Sequence, residues 1–229
     1  MEAIMKKSKF FSAKNIAYLA VLLALVIVLQ IWGSGVKIGT TSVSFVLIPI
    51  VLGAILLGPV AGAFLGCAFG VVVIVMGVMG VDYFTFVVFS DHPVLTVILC
   101  LVKGAAAGFV AGILFKALRG KSESAAVLVS ALAAPVVNTG LFILGALLMS
   151  DTLSANFVAD GQTVLYFLVI GCAGLNFVVE FIINAVASPA IYTVARVVGK
   201  KVEGRFFRKE EKPETEQDVR PVSCGEKTK

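Results

Sequence analysis

The sequence predicts an all-α integral membrane protein, a bundle of six transmembrane helices with both termini in the cytoplasm. Three observations support this: an apolar composition, six apolar segments, and a one-sided distribution of Lys and Arg. Of the 229 residues, 59% are hydrophobic and 14% are charged, and the mean hydropathy is +1.02. Soluble domains are about half apolar and about a quarter charged, so this chain has too little polar surface to cover a water-facing globule.

The apolar segments are separated by polar stretches or by Gly and Pro. In chain order they are residues 15–33, 43–57, 60–79, 93–118, 125–149 and 162–198. A spanning helix needs about 20 mostly apolar residues. The second segment is short and contains Pro49, so we expect a kinked or broken helix there. The sixth is too long for one span, so its end should project into the cytoplasm or turn there.

The connections between segments differ in character. Gly58-Pro59 predicts a tight turn, because Pro suits the first turn of a helix. The stretch 80–92 is too apolar for a free loop, so we expect it to fold back on the bundle. The stretch 150–161 is expected to be a polar break.

Small residues at four-residue spacing predict close helix contacts. Gly62, Gly66 and Gly70 form such a stripe in the third segment. The first segment carries two alanine pairs, Ala13-x-x-x-Ala17 and Ala20-x-x-x-Ala24. Membrane helices approach each other through such smooth faces, although the alanine signal alone is weak because alanine is common here.

The basic residues predict the orientation. One side of the membrane has the N-terminal lysines, the loop 116–121 and the chain after Arg196, whereas the other has Lys37 and four aspartates. Cytoplasmic loops carry the excess of Lys and Arg, so the first side is cytoplasmic. The first apolar run is too long for a signal peptide, so we expect it to be retained. The expected units are a cytoplasmic N-terminus at 1–14, a membrane domain at 15–199 and a disordered cytoplasmic tail at 200–229.

The composition argues against several function classes. The net charge of +5 arises at the ends and in one loop, which favours contact with membrane lipid over nucleic-acid binding. The four cysteines form no C-x-x-C pair and His92 is the single histidine, so we expect no disulfide framework and no metal site. The sequence has no Walker A, H-E-x-x-H, G-x-S-x-G or Rossmann pattern, so we expect neither an enzyme nor a cofactor.

Two charged residues stand out in the middle of apolar segments, where charges are costly and usually functional or paired. Lys103 lies ten residues into the fourth segment, about 15 Å from its outer end at 1.5 Å per residue. Glu180 lies in the sixth segment. One interpretation is an internal Lys103–Glu180 pair that holds the bundle together, and the other is contact with a substrate.

Intramembrane amides accompany these charges. Asn138 and Thr139 follow Pro135 in the fifth segment, at a depth similar to that of Lys103. Asn176 and Glu180 share one face of the sixth segment, because they are four residues apart. Such amides also join helices to each other, but polar groups from three segments at one depth favour a ligand site.

The outer loops contribute further candidates. Lys37, Thr40 and Tyr83 are polar or aromatic residues suited to capping a pocket. An alternative is an interfacial aromatic belt, which is the better interpretation for Trp32.

The chain resembles the substrate-binding (S) components of energy-coupling factor (ECF) transporters over about residues 13–199. The resemblance rests on the size, the six spans and the runs LIPIVLGAILLGP at 47–59, AGAFLG at 61–66 and PVVNTG at 135–140. It implies a multi-pass protein of a bacterial or archaeal plasma membrane that binds a vitamin from outside. The expected pocket is formed by the first outer loop and helices four to six.

The resemblance also implies partners. An S component topples in the membrane while docked on a transmembrane (T) component that two ATPases drive. Ala20 and Ala24 match the family's A-x-x-x-A contact with the T component. The lead substrate is pantothenate, with folate or riboflavin next. Lys103 suits a carboxylate, which favours the two acids over neutral riboflavin. Glu180, if not paired, would suit a cation such as thiamine. The alternative function is a stand-alone secondary transporter or channel, although the sequence shows no convincing internal repeat.

Overall fold

The computed structural model describes residues 13–33, 37–38, 41–42 and 45–199, which are almost wholly helical. The helices are α1 (Ala13–Gly33), α2 (Leu47–Leu57), α3 (Pro59–Val78), α4 (Tyr83–Asp91), α5 (Pro93–Leu118), α6 (Glu123–Leu147), α7 (Ser150–Asn156), α8 (Val164–Tyr166) and α9 (Ala173–Gly199). A π-helical segment (Phe167–Cys172) joins α8 to α9. Between α1 and α2, strands β1 (Lys37–Ile38) and β2 (Thr41–Ser42) pair antiparallel, a small departure from the predicted all-α fold.

Five of the described helical stretches are long and apolar enough to cross a membrane: α1, α3, α5, α6 and the continuous stretch from α8 to α9. The predicted second segment contains α2, which has 11 residues and is therefore about 16 Å long. That is about half of a typical hydrocarbon core. The structure thus shows a multi-pass helical membrane protein, while the sixth span and the orientation of the termini stay predictions.

Pro49 does not break the second segment. It is the third residue of α2, where proline is tolerated because the first-turn N–H groups have no helical partner. The helix therefore begins near this proline, at Leu47 and not at residue 43, the start predicted for this segment. The predicted turn lies at its other end: Gly58 has φ 107°, which favours glycine, and Pro59 is the first residue of α3.

The most extensive helix contact in the described chain joins α3 to α5. The glycine stripe of α3 lies against the backbone of α5 through the pairs Gly62–Gly108, Gly66–Gly104 and Gly70–Cys100. A Cβ atom at Gly62 would lie 2.5 Å from the carbonyl oxygen of Gly108. A backbone oxygen cannot rotate away, so these positions accept only glycine at this helix separation.

Both outer connections contain helices. The predicted fold-back of 80–92 is α4, which packs against α3 and α5. The expected polar break at 150–161 contains α7, whose Thr152 and Leu153 are buried. Its sequence has few apolar residues, so only the two inward-facing side chains mark it as part of the bundle.

Three apolar clusters pack between the helices. One surrounds Phe115 between α2, α5, α6 and α9, and a second surrounds Leu65 between α1, α2, α3 and α5. The third surrounds Leu153 between α4, α6, α7 and the π-helical segment. Phe69 of the second cluster and Phe84 of the third also line the cavity that forms the candidate site.

Replacing Gly66 with Ala should loosen the α3–α5 contact, because the new Cβ overlaps the Gly104 carbonyl. We expect the free energy of unfolding to fall by about 1–3 kcal/mol, measured by thermal unfolding in detergent. Gly140→Ala in α6 is the matched control, since a Cβ there meets nothing within 4 Å. Equal stability of the two variants would contradict the proposed packing constraint.

Candidate functional site

A polar cavity lies between the helices and is lined from α1, α3, α4, α5, α6 and α9. The empty volume of the cavity, including space open to solvent, is about 600 Å³. Its polar lining residues are Gln30, Asp82, Thr85, Lys103, Asn138, Thr139, Asn176 and Glu180. Aromatic rings of Phe69, Phe84 and Phe142 complete much of the wall. The cavity therefore combines charges of both signs, amides and aromatic surface.

The α9 side of the cavity is organised around Glu180, which is 2% exposed. Asn176 Nδ2 donates to Glu180 Oε1 at 3.2 Å, and Asn184 Nδ2 donates to the Glu180 carbonyl oxygen at 2.9 Å. The three residues are spaced four apart, so they stack along one face of the helix. The Asn176 amide thus donates to a carboxylate that would be costly to bury alone.

The π-helical segment brings this face to the cavity. It ends at Cys172, and both Cys172 and Ala173 line the cavity just before Asn176. A π turn adds a residue to the helical repeat and rotates the residues that follow it. Such turns occur frequently at functional sites.

Lys103 enters from α5 on another side. Its half-buried side chain places Nζ 4.9 Å from the centroid of the Phe142 ring. A cation–π contact of this kind contributes about 0.5–2 kcal/mol, with the larger values at desolvated sites. Phe142 lies one turn after Asn138 on α6, so α6 presents an aromatic ring to the ammonium and an amide to the adjoining part of the cavity.

Two amide oxygens at the cavity lack partners. Within the described chain, neither Asn138 Oδ1 nor Asn176 Oδ1 accepts a hydrogen bond, although both atoms are buried. Leaving a buried polar atom unsatisfied costs about 1–3 kcal/mol. A ligand with N–H or O–H groups in the cavity would supply the missing donors.

A second cavity adjoins the first, since both are lined by Phe84, Thr85, Lys103 and Phe142. About 350 Å³ of space, open solvent included, lies within it. Beyond Lys103 its lining is mainly apolar, with Val88, Leu99, Ala146, Met149 and Leu153. Lys103 therefore stands at the boundary between a polar and an apolar space.

The family model described as the substrate-specific component of ECF transporters matches residues 14–192. The chain belongs to this family. It is therefore an S component, a multi-pass cell-membrane protein that binds substrate for a transporter and is not itself an enzyme. The family acts with a T component and ATPases. No curated relative and no solved structure gives a significant match.

The structure brings five of the eight predicted substrate-binding residues of this S component together. Lys103, Asn138, Thr139, Asn176 and Glu180 all line the polar cavity. The contacts seen for the two charged residues are Lys103 with Phe142 and Glu180 with Asn176, so the Lys103–Glu180 pair stays a prediction.

The other three predicted residues, Tyr83, Thr40 and Lys37, are not among the cavity-lining residues that the structure describes. Tyr83 is 60% exposed and meets the Phe157 ring edge-on at a centroid distance of 5.9 Å. It is not among the residues that line the cavity, whereas its neighbours Asp82 and Phe84 are. Thr40 and the side chain of Lys37 lie outside the described part of the chain, as does the predicted tail 200–229.

Three polar lining residues of the S component were not predicted as site residues: Gln30, Asp82 and Thr85. Gln30 is an amide inside an apolar segment, so the rule that singled out Asn138 also applies to it. Thr85 Oγ1 donates to Asp82 Oδ2 at 2.6 Å across one turn of α4. An Asp directly before an apolar run, as Asp82 is before Tyr83, predicts a helix start and is the signal that would have placed these two on an ordered helix.

Polar contacts join α7 to the junction of α4 and α5. Thr152 Oγ1 donates to Asp91 Oδ2 at 2.9 Å, and His92 Nε2 lies 3.5 Å from Asp151 Oδ1. The pKa of Asp151 lies below its ordinary value, first because the Thr152 backbone N–H donates to the carboxylate, and then because His92 is nearby. These contacts hold α7 over the apolar cavity, which Leu153 lines.

Replacing Thr152 with Val should loosen α7 in the S component, because Asp91 loses a hydroxyl donor. Asp91 is exposed, so we expect a cost of about 1 kcal/mol and roughly fivefold faster amide exchange in α7. The control is Ser154→Ala, whose exposed hydroxyl donates within α7 to the Ser150 carbonyl. Exchange at the wild-type rate in Thr152→Val, measured by mass spectrometry, would show that this contact does not hold the helix.

Proposed function

We propose that this S component captures a vitamin from outside the cell in its polar cavity. It then delivers the vitamin into the cell while docked on a T component that two ATPases drive. The observation that carries the proposal is the convergence of polar groups from α5, α6 and α9 on one cavity within apolar helices. Those helices bear Lys103, Asn138, Thr139, Asn176 and Glu180, which we propose as substrate contacts.

Pantothenate is the lead substrate of this proposal, followed by folate and riboflavin. Its support is chemical: a carboxylate matches the Lys103 ammonium, and the hydroxyl groups and amide N–H of pantothenate match the open Asn138 and Asn176 oxygens. Aromatic rings around the cavity would pack against the apolar part of the molecule.

Docking on the T component is proposed to use Ala20 and Ala24 of α1. Both side chains are exposed in the S component, and α1 also exposes Val21, Leu25 and Val28 at other positions around the helix. A smooth patch of alanines lets another helix approach closely in lipid. This supports an α1 surface available to a partner helix.

An isolated S component should bind its vitamin tightly but transport it only with its partners. The expected result is high-affinity binding by the purified protein and uptake into proteoliposomes only when the T component, both ATPases and ATP are present. Lys103→Met should weaken binding by about 10- to 100-fold, since it removes a charge-assisted contact.

Lys116→Met is the matched control, because Lys116 lies exposed in the last turn of the same helix. It should bind the vitamin as the wild type does. Ion-coupled uptake by the protein alone would instead support a stand-alone transporter and overturn the proposal.

Replacing Ala20 with Trp should abolish assembly with the T component and spare vitamin binding, because the indole separates the two helices. Leu25→Trp is the control: Leu25 is exposed on the same helix but lies about 100–140° around it from the two alanines. Copurification of the complex measures assembly. Normal assembly of Ala20→Trp would move the docking surface elsewhere.

A further inference from the structure

We propose that the ligand of this S component is bipolar, with an anionic group at Lys103 of α5 and an end rich in N–H or O–H donors at the side of the cavity lined from α6 and α9. That side, here called the acceptor wall, consists of Asn138, Asn176 and Glu180. The inference rests on the proposed function of the cavity as the vitamin site. It adds a chemical class of ligand and an orientation.

The acceptor wall presents oxygen atoms to the cavity. Asn176 Nδ2 already donates to Glu180 Oε1, so the amide of Asn176 directs its oxygen away from that carboxylate. Asn138 is 7% exposed. Within residues 45–199, neither amide oxygen has a hydrogen-bond partner. Oxygen acceptors beside a carboxylate match ligand N–H groups, O–H groups or a positive charge.

Lys103 approaches from a different helix. α6, which carries Asn138, packs against both α5 and α9. The ammonium rests over the Phe142 ring at 4.9 Å. A ring face attracts the charge but leaves the three N–H donors available for strong acceptors. An anionic ligand group fits this position.

The adjoining apolar cavity limits where the anion can lie. Two of its hydroxyl groups donate within the protein, Thr85 to Asp82 and Thr96 to the His92 carbonyl. The other lining residues beyond Lys103 are mostly apolar. An anionic group placed there would be desolvated without donors, so it stops at Lys103.

The charges of the cavity also disfavour a purely anionic ligand. Among the described lining residues, Asp82 and Glu180 are acidic and Lys103 is basic. A ligand with negative charge alone would meet one attractive and two repulsive groups. Donors at the other end of the ligand offset this repulsion.

A first experiment compares pantothenate, folate, riboflavin and thiamine as probes of the purified full chain. Dissociation constants are measured by calorimetry. The proposal expects one of the two acids, pantothenate or folate, to bind tightest. Tightest binding of riboflavin, which lacks a carboxylate, or of thiamine, a cation, would overturn the bipolar ligand while leaving vitamin capture intact. Binding of none of the four would count against both.

A second experiment tests the orientation with the tighter acid and its carboxamide. Lys103→Met should weaken binding of the acid by about 10- to 100-fold and change the affinity for the neutral carboxamide by less than about twofold. Asn176→Leu should weaken both ligands by the same factor. If Lys103→Met weakened binding of the acid and of the carboxamide equally, the lysine would not recognise the anionic group. The Lys116→Met control separates this outcome from a general effect of removing a lysine.

Discussion

The backbone contact between α3 and α5 is the constraint on which the rest of this S component depends. Gly66 and Gly104 bring the two helices so close that a methyl group would meet a carbonyl oxygen. Gly104 directly follows Lys103, so this contact also fixes the rotation of α5 about its axis. The direction in which Lys103 leaves the helix is therefore set by glycines that are not among the cavity-lining residues.

The same contact explains how a bundle in lipid tolerates a polar cavity. Lipid chains are as apolar as leucine, so burial of apolar surface does not drive membrane helices together. Close packing must supply the cohesion, and glycine faces allow the greatest approach. Unsatisfied oxygens at Asn138 and Asn176 act against the fold. The α3–α5 contact lies next to this cavity, which Phe69 and Val73 of α3 also line, and stabilises the scaffold around it.

Spacing and hydropathy in the sequence predicted the long helices, the glycine stripe and five cavity residues, because each is a pattern within one segment. The fourth segment and α5 share the bounds 93–118. Asp82 and Thr85 were missed as site residues because the predicted fold-back of 80–92 does not specify which of its side chains turn toward the cavity. The π turn at Phe167–Cys172 was also unpredictable, since it changes the helical register without a distinctive residue type.

Helix α1 gives the proposed docking surface a physical link to the ligand. Its inward face carries Gln30, which is buried and lines the cavity, while its outward face carries Ala20 and Ala24. Ala24 and Gln30 are six residues apart, about 9 Å along the axis. A helix moves as a rigid element over such a distance, so a shift of α1 on docking also moves Gln30 at the cavity. If α1 docks as proposed, ligand contact and partner contact act on one helix, and a shift caused by one changes the position available to the other.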